Sequence, residues 1–201
     1  MSKAKLLLVD DDRVVLATLA EGLEAAGYTV LRAQNAAEAL AVAHKDCPEL
    51  AVLDMRLPDR SGVELARDLC NELRVPFVFL SAYGDEETVR PAVEEGALGY
   101  VVKPVEVERL IPELEAALTR ARELAELRAA REKLTAALES ERLISVAVGL
   151  VMERFHLPER RAFELLRGHA RSQRRKLADF AREVIHSTEL LNTLMMEGAA
   201  V

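Results

Sequence analysis

Five short apolar runs, Lys5–Val9, Tyr28–Arg32, Leu50–Leu53, Pro76–Leu80 and Gly99–Val102, alternate with helical stretches between residue 4 and about residue 120. Runs this short suit strands better than helices. The intervening stretches Val14–Ala26, Ala36–His44, Gly62–Glu72 and Glu86–Glu95 carry helical periodicity, and Gly27 and Gly96 stand where a glycine closes a helix. Parallel strands need a crossover between neighbours, so regular strand–helix alternation predicts a parallel sheet covered on both faces. The expected class is α/β, a doubly wound five-stranded parallel sheet, with a fifth helix beginning near Val105–Glu108.

In such a sheet the carboxyl ends of the strands share one edge, and ligands bind there. Asp10–Asp11, Asp54, Ser81 and Lys103–Pro104 each follow one of the apolar runs. Carboxylates attack phosphorus to give acyl phosphates, provided a cation neutralises the phosphoryl oxygens, and Mg²⁺ prefers oxygen ligands. Asp10 and Asp11 are placed to hold that ion, Asp54 to attack, Lys103 to supply a compact positive charge and Ser81 a hydroxyl. One aspartate at a strand end is ordinarily a helix cap or turn residue. The required residue types at four strand ends argue against accident. Phosphatases with an aspartyl nucleophile place it after the first strand, with a second aspartate two residues on. Here Asp11 and Asp12 both follow Asp10 and the solitary Asp54 follows the third strand, which rejects that rival.

Residues 4 to about 119 resemble a response-regulator receiver domain. The resemblance is carried by Leu7-Leu8-Val9-Asp10-Asp11-Asp12, Val52-Leu53-Asp54-Met55-Arg56-Leu57-Pro58 with Gly62, Leu80-Ser81-Ala82, and Gly96-Ala97 leading to Tyr100-Val101-Val102-Lys103-Pro104. It implies a flavodoxin-like fold and phosphate acceptance by Asp54 from a sensor histidine kinase. It further implies Mg²⁺ on Asp10, Asp11, Asp54 and the backbone carbonyl of Arg56, and a cis Lys103–Pro104 bond. Ser81 and Tyr100 would form a switch pair, the hydroxyl moving to the phosphate and the ring turning inward behind it. Ser81 stands where threonine is common in the family. The implied protein is a phosphoacceptor and not an enzyme acting on a separate substrate.

The net charge of −7 conceals an asymmetry. Residues 141–186 carry ten Lys/Arg against six Asp/Glu, whereas residues 1–140 carry seventeen against twenty-six. An acidic front and a basic back imply two different partners. Cys47 and Cys70 fit no metal-ligand spacing and read as reduced thiols. The start lacks a signal-peptide core and no apolar run reaches a membrane-spanning length, so a cytoplasmic protein without membrane association is expected.

From Gly99 to Gly149 no glycine occurs, and Pro112 is the last proline before Pro158. Leu114, Leu118 and Ala121 make one apolar seam in this stretch. Leu124, Leu127, Leu134 and Leu138 make a second, shifted in phase and interrupted by Arg131. Two readings stand side by side: a solvated connecting helix, or a short coiled coil that forms a homodimer. Three helical pieces follow. The first continues the linker through Val151–Phe155, the second spans Glu159–Ala170 with Pro158 opening it, and the third starts near Arg174 with Ser172 as a candidate N-cap. Phe155, Phe163 and Phe180 are expected in the core. Expected boundaries are 1–120 for the first domain, 121–140 for the linker, 141–188 for the basic domain and 189–201 for a tail.

Arg171, Arg174, Arg175 and Lys176 bracket the turn into the third helix, and Arg160, Arg161 and Arg167 extend the patch. Such runs usually form a solvated surface. Cations at a helix N-terminus oppose the dipole, however, and a bound phosphate reverses that sign. The physics favours nucleic acid without choosing DNA or RNA. With no Tyr or Trp in this segment, an aromatic sheet platform for RNA is excluded. From about Glu126 to Thr188 the chain resembles the ANTAR output domain of transcription antitermination regulators. The matching residues are Ile144, Ala147, Gly149, Leu150 and Met152, then Ala162, Leu165–Leu166 and His169–Ala170–Arg171, then Arg175, Leu177, Ala181 and Ile185. Val148 stands where the family often has lysine. The resemblance implies that dimers bind paired stem–loops in leader RNA and prevent a terminator hairpin. Rival expectations are a helix-turn-helix bound to DNA and an output that binds only protein.

Overall fold

The computed structural model describes residues 3–82 and 96–198. Five parallel strands, β1 (Lys5–Val9), β2 (Thr29–Ala33), β3 (Leu50–Asp54), β4 (Phe77–Ala82) and β5 (Tyr100–Lys103), form one sheet in the order β2-β1-β3-β4-β5. Each lies within two residues of its expected run. The helix expected over Glu86–Glu95 lies outside the described residues. Helices α1 (Arg13–Ala25), α2 (Ala36–Asp46) and α3 (Gly62–Leu73) belong to the same unit, residues 1–126, together with the start of α4 (Val107–Phe155).

The sheet is buried on both faces because its strands are apolar at successive positions, as parallel strands must be. Leu6 and Leu8 point to one side and pack with α1 residues Leu16, Leu19 and Leu23 and with Leu110, Leu114 and Leu118 of α4. Leu7 and Val9 point to the other, with Ala39 and Ala43 of α2 and Leu65 and Leu69 of α3. The first linker seam is therefore the inward face of the helix that closes this core. Leu114 is fully buried and Leu118 nearly so, while Leu124, Leu127, Leu134 and Leu138 are 42–67% exposed. The phase shift between the seams separates a core-facing stripe from an uncovered one. Pro112 lies in the second turn of α4, where the helix continues through it.

Local chemistry fixes the helix ends. Asp12 caps α1 by accepting from Val14 N–H at 2.8 Å and Val15 N–H at 3.3 Å. At the other end Tyr28 N–H donates to Leu23 and Gly27 N–H to Glu24, with Gly27 at φ +95°, a Schellman closure that favours glycine. Ser61 and Glu64 form a reciprocal capping box on α3, a motif whose serine contributes about 1 kcal/mol.

The second unit, residues 127–201, contains the rest of α4 with α5 (Glu159–Ser172) and α6 (Leu177–Gly198). Its core is built from small and branched side chains: Ala147, Val148 and Val151 of α4, Ala162 and Leu166 of α5, and Ala181 of α6. Small residues let the helices approach closely, and the large rings are displaced to the margin. Contrary to expectation, Phe155 is 59% exposed and Phe163 36% exposed, and Phe180 is only partly buried.

The junction between α5 and α6 also differs from expectation. Ser172 is the last residue of α5, and its hydroxyl donates back to the His169 carbonyl at 2.8 Å instead of capping the next helix. Arg174 takes a left-handed conformation, φ +55°, and Arg175 N–H closes α5 on the Ala170 carbonyl. That residue cannot continue a helix, so α6 starts at Leu177 and not at Arg174. α6 then extends to Gly198, through residues expected to form a tail.

Candidate functional site

Register places the acidic groups together. Val9 pairs with Leu53, so Asp10 and Asp54 leave adjacent strands at one level of the sheet edge. The order β2-β1-β3 makes this the point where the chain's winding reverses, and such crevices bind ligands. Carboxylate oxygens of Asp10, Asp11 and Asp54 lie within 4.8 Å of one another. Lys103 reaches the pair from the end of β5, its Nζ 2.7 Å from Asp10 Oδ2 and 2.8 Å from Asp54 Oδ2. The contact with Asp54 is an aligned hydrogen bond, whereas Asp10 Oδ2 has no partner in hydrogen-bond alignment.

Burial divides the labour. Asp10 is fully buried and its other oxygen accepts from Asp12 N–H at 3.0 Å. Desolvation raises its pKa above the ordinary 3.8, outweighing the nearby ammonium of Lys103. For Lys103, burial works against the charge, but the two carboxylates of Asp10 and Asp54 beside it together hold its pKa above 10.5. Asp11 is exposed and Asp54 half-buried, so the cluster is open to solvent on one side. Three convergent carboxylates, one buried and short of a directional partner, are a donor set suited to a hard divalent cation. Asp10, Asp11 and Asp54 are the residues fitted to hold it.

The loop after Asp54 is fixed by contacts that sequence reading missed. Gly62 is one: a Cβ there would fall 2.1 Å from the Asp54 carbonyl oxygen, so only glycine lets α3 press against the end of β3. Its N–H donates to the Met55 carbonyl at 2.9 Å. Asp59 is the other. Its carboxylate accepts from Ala36 N–H at 3.0 Å and Ala37 N–H at 3.1 Å, tying this loop to the start of α2, where Asn35 caps as well. The Ala36 N–H, with those around it, lowers the Asp59 pKa. Nothing near Asp59 in sequence signals a partner across the fold, whereas Gly62 was visible as the first residue of the expected helix, without the contact that requires a glycine there.

Arg56 N–H lies 3.4 Å from Asp54 Oδ1, so Arg56 stands beside the pocket. Ser81 closes the same edge on β4, opposite Val102, and its side chain lies outside the described residues. Tyr100 is 50% exposed, its ring on the outside of β5. The Lys103–Pro104 bond is cis.

The basic residues of the second unit are all exposed. Arg160 and Arg161 share Glu164, at 3.7 and 3.9 Å, in pairs too exposed to bind the arginines firmly. Arg167 and Arg171 continue along α5, and Arg174 and Lys176 lie in the turn before α6. Arg175 differs from the rest. It is paired with Glu183 and lies 5.8 Å from the centre of the Phe180 ring, whose other neighbour is His169, stacked at 6.3 Å. Among the described residues no helix is long and apolar enough to cross a membrane.

Comparison with known proteins agrees with this division. The family model for the response regulator receiver domain matches residues 6–115, and that for the ANTAR domain matches residues 132–185. The transcriptional regulatory protein PdtaR of Mycobacterium tuberculosis is 29% identical over 184 residues, 91% of this chain and 90% of PdtaR. The phosphate regulon transcriptional regulatory protein PhoB of Pseudomonas aeruginosa is 38% identical over 118 residues, 57% of this chain and 52% of PhoB. A crystal structure of a response regulator receiver domain protein from Clostridium thermocellum superposes with a TM-score of 0.57 at 29% identity, covering 60% of this chain and 98% of that one.

Proposed function

We propose that this chain, which belongs to the response regulator receiver domain family and carries an ANTAR output domain, accepts a phosphoryl group on Asp54 and thereby controls RNA binding by its second unit. Receiver domains are phosphorylated by histidine kinases and ANTAR domains bind RNA, so a sensor kinase and a leader RNA with stem–loops are the partners. The observation that carries the reading is Asp54 itself, half-buried at the sheet edge and held 2.8 Å from Lys103.

In the transfer, an Asp54 carboxylate oxygen forms a bond to phosphorus as the bond from phosphorus to the kinase imidazole breaks, and the imidazole leaves with the electron pair. Asp10, Asp11, Asp54 and the Arg56 carbonyl would hold Mg²⁺, which neutralises phosphoryl oxygens when bound. Lys103 is already paired with two carboxylates. On phosphorylation its ammonium passes from Asp54 to a phosphoryl oxygen, so no new charge has to be desolvated. Ser81 offers its hydroxyl to another oxygen, and Tyr100 turns inward from its exposed position.

The output is a population shift. Phosphorylation favours a homodimer through the uncovered seam Leu124, Leu127, Leu134 and Leu138, bringing two basic surfaces to paired RNA hairpins. Arg160, Arg161, Arg167, Arg171, Arg174, Arg175 and Lys176 supply the phosphate contacts. Binding of the full chain to stem–loop RNA and to duplex DNA, measured over a salt series with and without beryllofluoride as phosphate mimic, tests this. RNA-selective binding with a steep salt slope, strengthened by the mimic together with an increase in sedimenting mass, is expected. Equal binding to duplex DNA, or an affinity and mass indifferent to the mimic, would sink it.

A further inference from the structure

Between α4 and the first turns of α5 lies an open groove of about 1090 Å³. Ile144, Val148 and Met152 line it from α4, Phe163 from α5, and the 91% exposed Arg160 stands at its rim. Gly149 lines it too, and a Cβ added there would meet nothing within 4 Å. Glycine inside a helix is less favourable than alanine. At Gly149 neither a left-handed backbone nor a close neighbour within the chain requires it. What the missing side chain provides is room in the groove.

Charge indicates the occupant. Arg160, Arg167 and Arg171 recur at i, i+7 and i+11, so they share one face of α5 that begins at the rim of the groove. The contact of Arg160 with Glu164, 3.7 Å between exposed groups, is weak enough to be exchanged for a phosphate. An apolar slot with a half-exposed aromatic ring, continued by a row of guanidinium groups, matches a planar heterocycle carried on a phosphodiester backbone. Bases within a duplex stay stacked, whereas loop bases can be splayed out and stacked on aromatic side chains.

We infer that this groove receives an unstacked nucleobase from the loop of an RNA hairpin, stacked on Phe163, while the adjoining phosphates contact Arg160 and the arginine face of α5. The inference rests on RNA binding by the second unit and adds the base-reading site that the arginines, which meet only phosphates, do not supply.

The test begins with a hairpin RNA selected by the full-length wild-type protein from a pool with randomised loops. Gly149→Leu fills the groove from a position where a side chain has space, and leucine favours the helix, so the melting temperature holds or rises. Affinity is expected to fall at least about tenfold, the scale of one lost stacking contact. The slope against salt stays unchanged because no cation is removed. Abasic substitution along the loop should weaken wild-type binding at one position and cost Gly149→Leu nothing more there. Phe163→Leu should show a smaller loss at the same position. Affinity of Gly149→Leu equal to wild type, or abasic penalties equal in both proteins, would overturn the assignment. Should Gly149→Leu alter the sedimentation of the free protein while RNA affinity holds, the groove belongs to a second copy and the nucleobase is excluded. If the wild type enriches no RNA at all, the RNA-binding reading fails, and this inference with it.

Discussion

The two units carry their charges in opposite ways. In the first, Asp10, Asp54 and Lys103 meet within 3 Å at the end of a sheet, with Asp10 fully buried. In the second, Arg160 and Arg161, 91% and 73% exposed, lie on the surface of a helix and share only a loose pairing with Glu164. Charges in a low-dielectric pocket couple strongly and respond as one object. Exposed charges are screened and contribute nearly independently. The pocket is therefore suited to an all-or-none event, and the surface to a graded, salt-sensitive grip on a polyanion.

The largest effect tests the all-or-none side. Asp54→Asn is expected to abolish phosphate incorporation from acetyl phosphate altogether while leaving the fold intact by circular dichroism. Residual incorporation would mean that Asp10 or Asp11 also accepts phosphate and that the pocket has no single nucleophile. Gly62→Ala comes next. Its Cβ collides with the Asp54 carbonyl, so urea denaturation should show a loss of about 1–3 kcal/mol, typical of overpacking.

Titration sharpens the comparison further. Asp10 has a raised pKa, so its contribution to stability is fully present below 3.8 and is lost as pH rises through the raised value. Once ionised, the buried carboxylate is a liability that Mg²⁺ would relieve. At ten times its dissociation constant the ion should add about 1.4 kcal/mol to stability. That gain should shrink as pH falls and Asp10 takes up its proton. Thermal melts at neutral and mildly acidic pH, with and without Mg²⁺, read the difference, and a gain independent of pH would remove Asp10 from the ligand set.

The smallest effect belongs to the surface. Arg174→Gly should lower RNA affinity only a few-fold and reduce the salt slope by about one. It should also relieve a left-handed backbone that costs a non-glycine residue about 1 kcal/mol. Loss of all binding from this one change would show that the arginines act as a pocket and that the contrast between the units is false.

The receiver was legible in the sequence because a parallel strand buried on both faces must be apolar throughout, and chemistry can intrude only where the strand ends. Asp10, Asp54 and Lys103 stand out for that reason. The same logic failed where contacts are remote. Asp59 caps a helix that begins 23 residues earlier, and no local pattern announces it. In the second unit, apolar periodicity placed the three phenylalanines inward. A core of alanines and valines leaves little room, so Phe155 and Phe163 lie at its margin. The expected cap at Ser172 failed because a left-handed Arg174 intervenes, and arginine gives no warning of that conformation.

Residue order alone determined the α/β class, the convergence of three carboxylates and a lysine, and the basic character of the C-terminal segment. Each depends on local periodicity or on the rule that parallel strands end on one edge. Tertiary structure decided that Asp10 is buried while Asp54 meets solvent, that one linker seam is core and the other uncovered, and that Gly149 opens into a groove. Those outcomes depend on how completely neighbouring elements cover a side chain, a quantity fixed by packing across the fold.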